Sequence, residues 1–276
     1  EALLYDSLKE ENQENKYESL YGKMVSLEMI GFAVAGVGSG FLYSIWNGLP
    51  YLLTAVARLS SLIFLLLLVE PKIKQIKFSF AIYFSQIKQG FRELFKTPFI
   101  KTTILLLSIS ALLVVDYETV LSVQLTHLGF AKEYFGIVAT LMFIGAACGA
   151  HFRNVLSTRF GQMRTIILVT VLMGVGLILA PFISLYIGTA VLIFRSAFIA
   201  INDTVTSTII NQNTKSEVRA TTISTFNMLK AIPYMFTAYG MGVLMDKFSP
   251  QYFALGLGIF LLLILLLQLR LLKILK

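Results

Sequence analysis

The chain is built from eight long apolar runs separated by short polar stretches, and this pattern restricts its fold more than any other feature. Each run covers about 19 to 27 residues, and a helix needs about 20 apolar residues to cross a bilayer. A transmembrane β-barrel would instead show alternating segments of about ten residues. We therefore predict an all-α polytopic membrane protein with about eight transmembrane helices. The predicted spans are 25–44, 50–69, 99–120, 134–153, 164–182, 185–211, 221–245 and 252–272.

The composition excludes several other classes of protein. Hydrophobic residues make up 57% of the chain and charged residues only 14%, against about 25% charged in a soluble domain. Cys148 is the single cysteine, so an internal disulfide is excluded. The chain has only two histidines, His127 and His151, and we expect no metal site. The sequence contains no phosphate-binding loop and no hydrolase or zinc-protease motif, so we expect neither an enzyme nor a bound cofactor.

The basic residues predict which side of the membrane each loop faces. If the stretch before residue 25 is cytoplasmic, 18 of the 23 Lys and Arg residues lie on the cytoplasmic side and only Lys132 and Lys247 on the other. This asymmetry is the one expected for membrane proteins, and it predicts a cytoplasmic C-terminus. The net charge of +8 thus reflects topology and requires no nucleic acid partner. Three basic residues remain inside the spans: Arg58, Arg195 and Lys230.

The longest loop, residues 70–98, carries its own periodic pattern. Its large apolar residues follow steps of three and four, with Lys and Arg at other positions. This spacing predicts a basic amphipathic helix at the cytoplasmic membrane surface, with binding of a partner protein as the alternative. The loop divides the chain into a remainder of an N-terminal bundle (1–69), a linker (70–98) and a C-terminal six-helix bundle (99–276). The apolar residues are Ile73, Ile76, Phe80, Phe84, Ile87, Phe91 and Leu94.

Several features together resemble the major facilitator superfamily, in particular its drug-efflux-like members. The most apolar runs, 50–69, 164–182 and 252–272, recur every third helix, as in a bundle made of three-helix repeats. The stretch 1–9 is similar to the cytoplasmic end of the family's fourth helix, and Glu70-Pro71 to the end of its sixth. The stretch 219–224 is similar to the start of its eleventh helix. Two degenerate copies of a family loop motif also occur, at 154–164 and at 242–249, with Ser249 in place of the motif's final Gly.

This resemblance implies a fold and a function. The chain would cover the end of helix four to helix twelve and lack the first three to four helices. It would be a secondary active transporter that works by alternating access. It would carry out proton-coupled efflux of a small organic solute or drug across the plasma or inner membrane. Its partners would be the lipid bilayer, a small-molecule substrate and protons as the coupling ion. The alternative is a non-transporting membrane receptor or scaffold with the same fold.

Polar residues on the span 185–211 are candidates for the transport path, because a charge inside a span costs roughly 2.5 to 3.5 kcal/mol on insertion scales. Asn202 and Thr206 follow Arg195 by seven and eleven residues, so each lies within about 20° of Arg195 around a helix. Asp203 belongs to an adjacent column. We expect this stripe to line a water-filled path. The alternative is a structural tie between Arg195 and a carboxylate or carbonyl of another helix.

Two neighbouring spans supply the remaining candidates. Asp116, near the outer end of 99–120, is a candidate for handling protons or cations. Lys230 shares a helix face with Asn227 and Tyr234, and it either faces the cavity or extends to the cytoplasmic interface. In this scheme Asp116 and Asp203 would take up protons, whereas Arg195, Asn202 and Lys230 would bind substrate or set the field of the cavity. Gly145 and Gly149 predict a close-packing face rather than a chemical role.

Overall fold

The computed structural model places most of the chain in helices. Among the described residues there is no strand, which confirms the all-α prediction. A few positions inside helices have no described side chain. The described residues are 13, 31–32, 34–67, 79–97, 99–120, 123–124, 129, 131, 134–214 and 218–274.

The helices follow the predicted apolar runs. Five of those described are long and apolar enough to cross a membrane: Leu49–Leu66, Ile100–Val120, Phe135–Phe160, Leu185–Asn213 and Pro250–Arg270. In chain order the helices are α1 (Val34–Ile45), α2 (Leu49–Leu66), α3 (Phe80–Leu94), α4 (Ile100–Val115), α5 (Phe135–Phe160), α6 (Gln162–Ile178), α7 (Leu185–Asn213), α8 (Arg219–Phe248) and α9 (Pro250–Ile274). A π-helical turn, Asp116–Val120, continues α4, and a 3₁₀ turn, Ala180–Phe182, follows α6.

By its contacts the chain divides into two compact units. The first comprises residues 1–78 and 131–140, and the second comprises residues 79–130 and 141–276. In the first unit α2 has no buried residue. In the same unit a Cβ added to Gly136 would collide with the carbonyl oxygen of Gly36, so glycine allows close contact there. The assignment of 1–69, 70–98 and 99–276 as functional domains stays a prediction.

The second unit is a bundle in which the helices pack closely. α9 packs against α6, α8 against α3 and α4, and α6 against α7. The predicted close-packing face is present: an added Cβ would lie 2.8 Å from the Ile193 carbonyl oxygen at Gly145 and would collide with the Ala197 backbone at Gly149. Because lipid is as apolar as these side chains, such close packing and hydrogen bonds hold membrane helices together. The most buried side chains include Leu105, Leu106, Ile109, Ile166, Met173, Leu177, Leu261 and Leu265.

The amphipathic helix predicted in the linker is present as α3. Its Leu94 and Gly90 are buried, and a Cβ added to Gly90 would collide with the Thr225 side chain of α8. The hydroxyl of Thr103 donates a hydrogen bond to the Leu94 carbonyl oxygen at 2.6 Å. One face of α3 is therefore fixed to the bundle, while Phe84 remains exposed. The part of the predicted pattern at residues 70–78 lies outside the described residues.

Two helix pairs turn through a single residue with the same unusual backbone. Gly161 joins α5 to α6 with φ 84° and ψ 153°, and Ser249 joins α8 to α9 with φ 64° and ψ 149°. Both residues stand at the final Gly position of the two loop-motif copies. This conformation favours glycine, so the motif marks a one-residue corner, and Ser249 adopts that corner despite its Cβ.

Candidate functional site

The charged residues of α7 form ion pairs with two different helices. Arg195 and Asp203 are eight residues apart, which corresponds to about 12 Å along the helix axis. Arg195 pairs with Asp116 at the end of α4, and Asp203 pairs with Lys230 of α8. The predicted polar stripe thus separates into two centres that have different surroundings.

The Arg195 centre is closed. One terminal nitrogen of Arg195 donates to Asp116 Oδ1 and the other donates to Gln124 Oε1, and the two charged side chains are at most 2% exposed. Asp116 opens the π-helical turn, a local widening that often occurs at functional sites. Asp116 Oδ2 and Arg195 Nε have no hydrogen-bond partner among the described residues. This contact has the geometry of the tie between Arg195 and a carboxylate of another helix, which the sequence left open as an alternative.

The middle of the stripe is also buried. The Asn202 amide donates to the Ser110 hydroxyl of α4 at 3.3 Å. Asn202 Oδ1 and the Thr206 hydroxyl are buried and lack a hydrogen-bond partner among the described residues. Asn202 therefore contributes to the contact between α7 and α4, and Thr206 keeps an unused hydrogen-bonding group.

The Asp203 centre is open. Lys230 Nζ lies 3.0 Å from Asp203 Oδ1, and the side chains are 18% and 49% exposed, respectively. A half-exposed carboxylate can exchange protons with surrounding water, whereas the guanidinium of Arg195 in the closed centre stays protonated. Of the two carboxylates predicted to take up protons, Asp203 is the one exposed on the surface of the bundle.

This ion pair borders a cavity of about 240 Å³ between α7 and α8. Four of the eight predicted site residues line the cavity: Asp203, Thr206, Asn227 and Lys230. Tyr234 of α8 is half-buried and is not among the lining residues. The sequence pattern did not indicate Ser207 or Phe226. Ser207 follows Thr206 and lies outside the stripe, and Phe226 resembles an ordinary core residue. The lining residues are Asp203, Thr206, Ser207, Ile210, Ile223, Phe226, Asn227 and Lys230.

The described residues offer no obvious metal centre. No group of three or more His, Cys, Asp or Glu side chains comes together in the part of the chain that the structure describes. Among the residues that line the cavity, the ionisable groups are those of Asp203 and Lys230.

Comparison with protein families identifies the fold. Residues 117–275 match the family model of the Major Facilitator Superfamily, which is more than half of the chain. The chain belongs to the major facilitator superfamily. This confirms the resemblance predicted from the motifs, and with it an all-α membrane fold of this type. A search of curated proteins and a search of solved structures each found no match.

Membership in the superfamily has direct consequences. The protein is an integral membrane protein and a membrane transporter, with the lipid bilayer and a small molecule as its partners. The matched segment contains all of α7 and α8, and so includes the cavity. The matched segment begins one residue after Asp116.

Proposed function

We propose that this superfamily member is a secondary active transporter that exports a small organic solute in exchange for protons. It would work by alternating access in the plasma or inner membrane, with its C-terminus in the cytoplasm. The observation that carries the proposal is the open Asp203–Lys230 ion pair on the wall of a cavity within the bundle. Charges inside membrane helices are costly and characteristically mark substrate or proton pathways.

The two ion pairs suggest a division of roles. Asp203, which is half-exposed, would take up and release the coupling proton, and Lys230 would set the field of the cavity. Thr206 and Asn227 would offer hydrogen bonds to the solute. Arg195 and Asp116, which are closed off from solvent, would hold α7 against α4 and fix the position of the cavity wall.

The remaining candidates have supporting roles in this scheme. Asn202 would orient α7 through its contact with Ser110. Tyr234 lies one turn beyond Lys230 on α8, where it would border the path without lining the cavity.

Coupling between proton and solute follows from the shared charge. Protonation of Asp203 neutralises the partner of Lys230 and leaves a cation uncompensated inside the membrane, which raises the free energy of the empty site. A solute that compensates one charge of the pair therefore changes the proton affinity of Asp203, and the proton changes the affinity for the solute by the same factor. This reciprocity is the thermodynamic requirement for coupled transport.

Cysteine accessibility tests whether the cavity is a water-filled path. In a background with Cys148→Ser, we expect Asn227→Cys to react with a membrane-impermeant maleimide in inside-out vesicles. Leu263→Cys serves as the matched control, because Leu263 is 54% exposed on α9 but would face lipid. The proposal is contradicted if the cysteine at 227 is as unreactive as the cysteine at 263.

Transport by the full-length protein tests the role of the ion pair. We expect Asp203→Asn to abolish proton-driven solute efflux from proteoliposomes while leaving protein yield and helical content close to wild type. The control is Asp246→Asn, an exposed acid on the same helix as Lys230 but outside the cavity. Full proton-driven efflux by the Asp203 variant would refute its assignment.

A further inference from the structure

We propose that the solute bound in the α7–α8 cavity is a small zwitterion, with an ammonium group and a carboxylate a few bonds apart and a compact apolar group beside them. The inference rests on the proposed function, because it takes the same cavity as the transport site. It adds the chemical class of the solute, which neither the motifs nor the family assigns.

The first argument is the charge balance of the cavity. Asp203 and Lys230 compensate each other at 3.0 Å, and the other described lining residues carry no formal charge. A purely cationic ligand could bind Asp203 but would add an uncompensated positive charge beside Lys230. A purely anionic ligand would have the opposite effect. A zwitterion brings both charges and leaves the cavity neutral.

The second argument is the hydrogen-bonding capacity of the pair. An ammonium group has three donors and a carboxylate has two acceptor oxygens, whereas the pair itself uses a single contact between Nζ and Oδ1. The remaining donors of Lys230 can bind a ligand carboxylate, and the remaining acceptors of Asp203 can bind a ligand ammonium. The four charges then alternate in sign, and the protein pair need not break.

The third argument is the chemistry of the rest of the lining. Ile210, Ile223 and Phe226 supply an apolar part, and Thr206, Ser207 and Asn227 supply neutral polar groups. The hydroxyl of Thr206 has no hydrogen-bond partner among the described residues. A ligand with one charged end and one apolar end matches this division.

The size of the cavity suits a small ligand. Its volume of about 240 Å³ lies below the range of about 300 to 1,000 Å³ that is typical for drug-sized ligands. A ligand of amino-acid size fits this volume.

Three matched probes separate the possible classes. L-phenylalanine, 2-phenylethylamine and 3-phenylpropionate share a phenyl group on a two-carbon chain, and at pH 7 they are zwitterionic, cationic and anionic, respectively. Equilibrium binding of each probe is measured with the full-length protein in nanodiscs. We expect the amino acid to bind at least tenfold more tightly than either singly charged probe. No measurable binding of the amino acid, or tighter binding of a singly charged probe, overturns the zwitterion assignment.

Variants of the pair distinguish failure of the ligand class from failure of the site. Asp203→Asn and Lys230→Gln should each weaken binding of the amino acid at least tenfold, while the control Asp246→Asn should leave it unchanged. The double variant Asp203→Asn with Lys230→Gln leaves no unpaired charge, so it should fold and lose the preference among the three probes. If a singly charged probe binds best and the variants still weaken it, the class is wrong but the site stands. If neither Asp203→Asn nor Lys230→Gln changes the affinity for the probes, the proposed site is wrong.

Discussion

Replacement of Asp116 by Asn tests the closed centre, because it leaves Arg195 buried without its counter-ion. The side chains of both residues are at most 2% exposed, so water cannot take over the lost contact. An Arg at the centre of a membrane helix costs about 2.5 to 3.5 kcal/mol on insertion scales, and removal of one partner from a buried pair costs about 3 to 5 kcal/mol. We expect Asp116→Asn to lower the free energy of unfolding by about 3 kcal/mol, which is about a hundredfold in the unfolding equilibrium.

The double variant Asp116→Leu with Arg195→Met isolates the cause. It removes both charges and keeps apolar volume at the site, an exchange that is often neutral or stabilising. Gln124 then loses the donor from Arg195, which costs about 1 kcal/mol. We therefore expect the free energy of unfolding of the double variant to lie within about 1 kcal/mol of the wild-type value, well above that of the single variant.

The assay is reversible unfolding by SDS in mixed micelles, followed by helical circular dichroism. Glu118→Gln is the matched control, since Glu118 lies in the same π-helical turn and is exposed. It should change the free energy of unfolding by less than about 0.5 kcal/mol. If Asp116→Asn lowers the free energy of unfolding by less than about 1 kcal/mol, Asp116 is not the necessary counter-ion of a buried Arg195. The same conclusion follows if the double variant is as unstable as the single one.

Two further predictions concern backbone geometry and close packing. Ser249→Gly should raise the free energy of unfolding by about 1 kcal/mol, because glycine relieves the strain of a positive φ. Gly161→Ser should lower it by a similar amount. If either variant is as stable as wild type in the SDS titration, the one-residue corners are wrong. Gly149→Val should lower the free energy of unfolding by about 2 kcal/mol or more, because the new side chain meets the backbone of Ala197. Gly240→Ala is the control: there is open space around Gly240 and alanine favours a helix interior, so this variant should not lose stability in the same titration.

The helices could be predicted from the sequence because membrane spans are defined by the length of apolar runs. Their ends were harder to predict. The run ending at 153 stops near a basic residue, yet α5 continues to Phe160, because the helix ends where Gly161 adopts a positive φ and not where hydropathy falls. The π-helical turn at Asp116 leaves no trace in hydropathy.

The site was only partly predictable, for a different physical reason. Helical geometry alone places Arg195, Asn202 and Thr206 on one face of α7, since it depends only on residue spacing. It cannot say which neighbouring helix each residue meets. That depends on packing, which brings Asp116 to Arg195 and Lys230 to Asp203, and so closes one half of the stripe and leaves the other open.

The most direct test of the account is proton movement driven by the solute itself. Proteoliposomes of the full-length protein, loaded with a pH-sensitive dye, receive an outward gradient of the transported solute with no imposed pH gradient. We predict that wild type acidifies the lumen as solute leaves, and that Asp203→Asn abolishes this signal. Solute efflux without acidification in wild type, or unchanged acidification in the Asp203 variant, would contradict the central claim that this carboxylate couples protons to export.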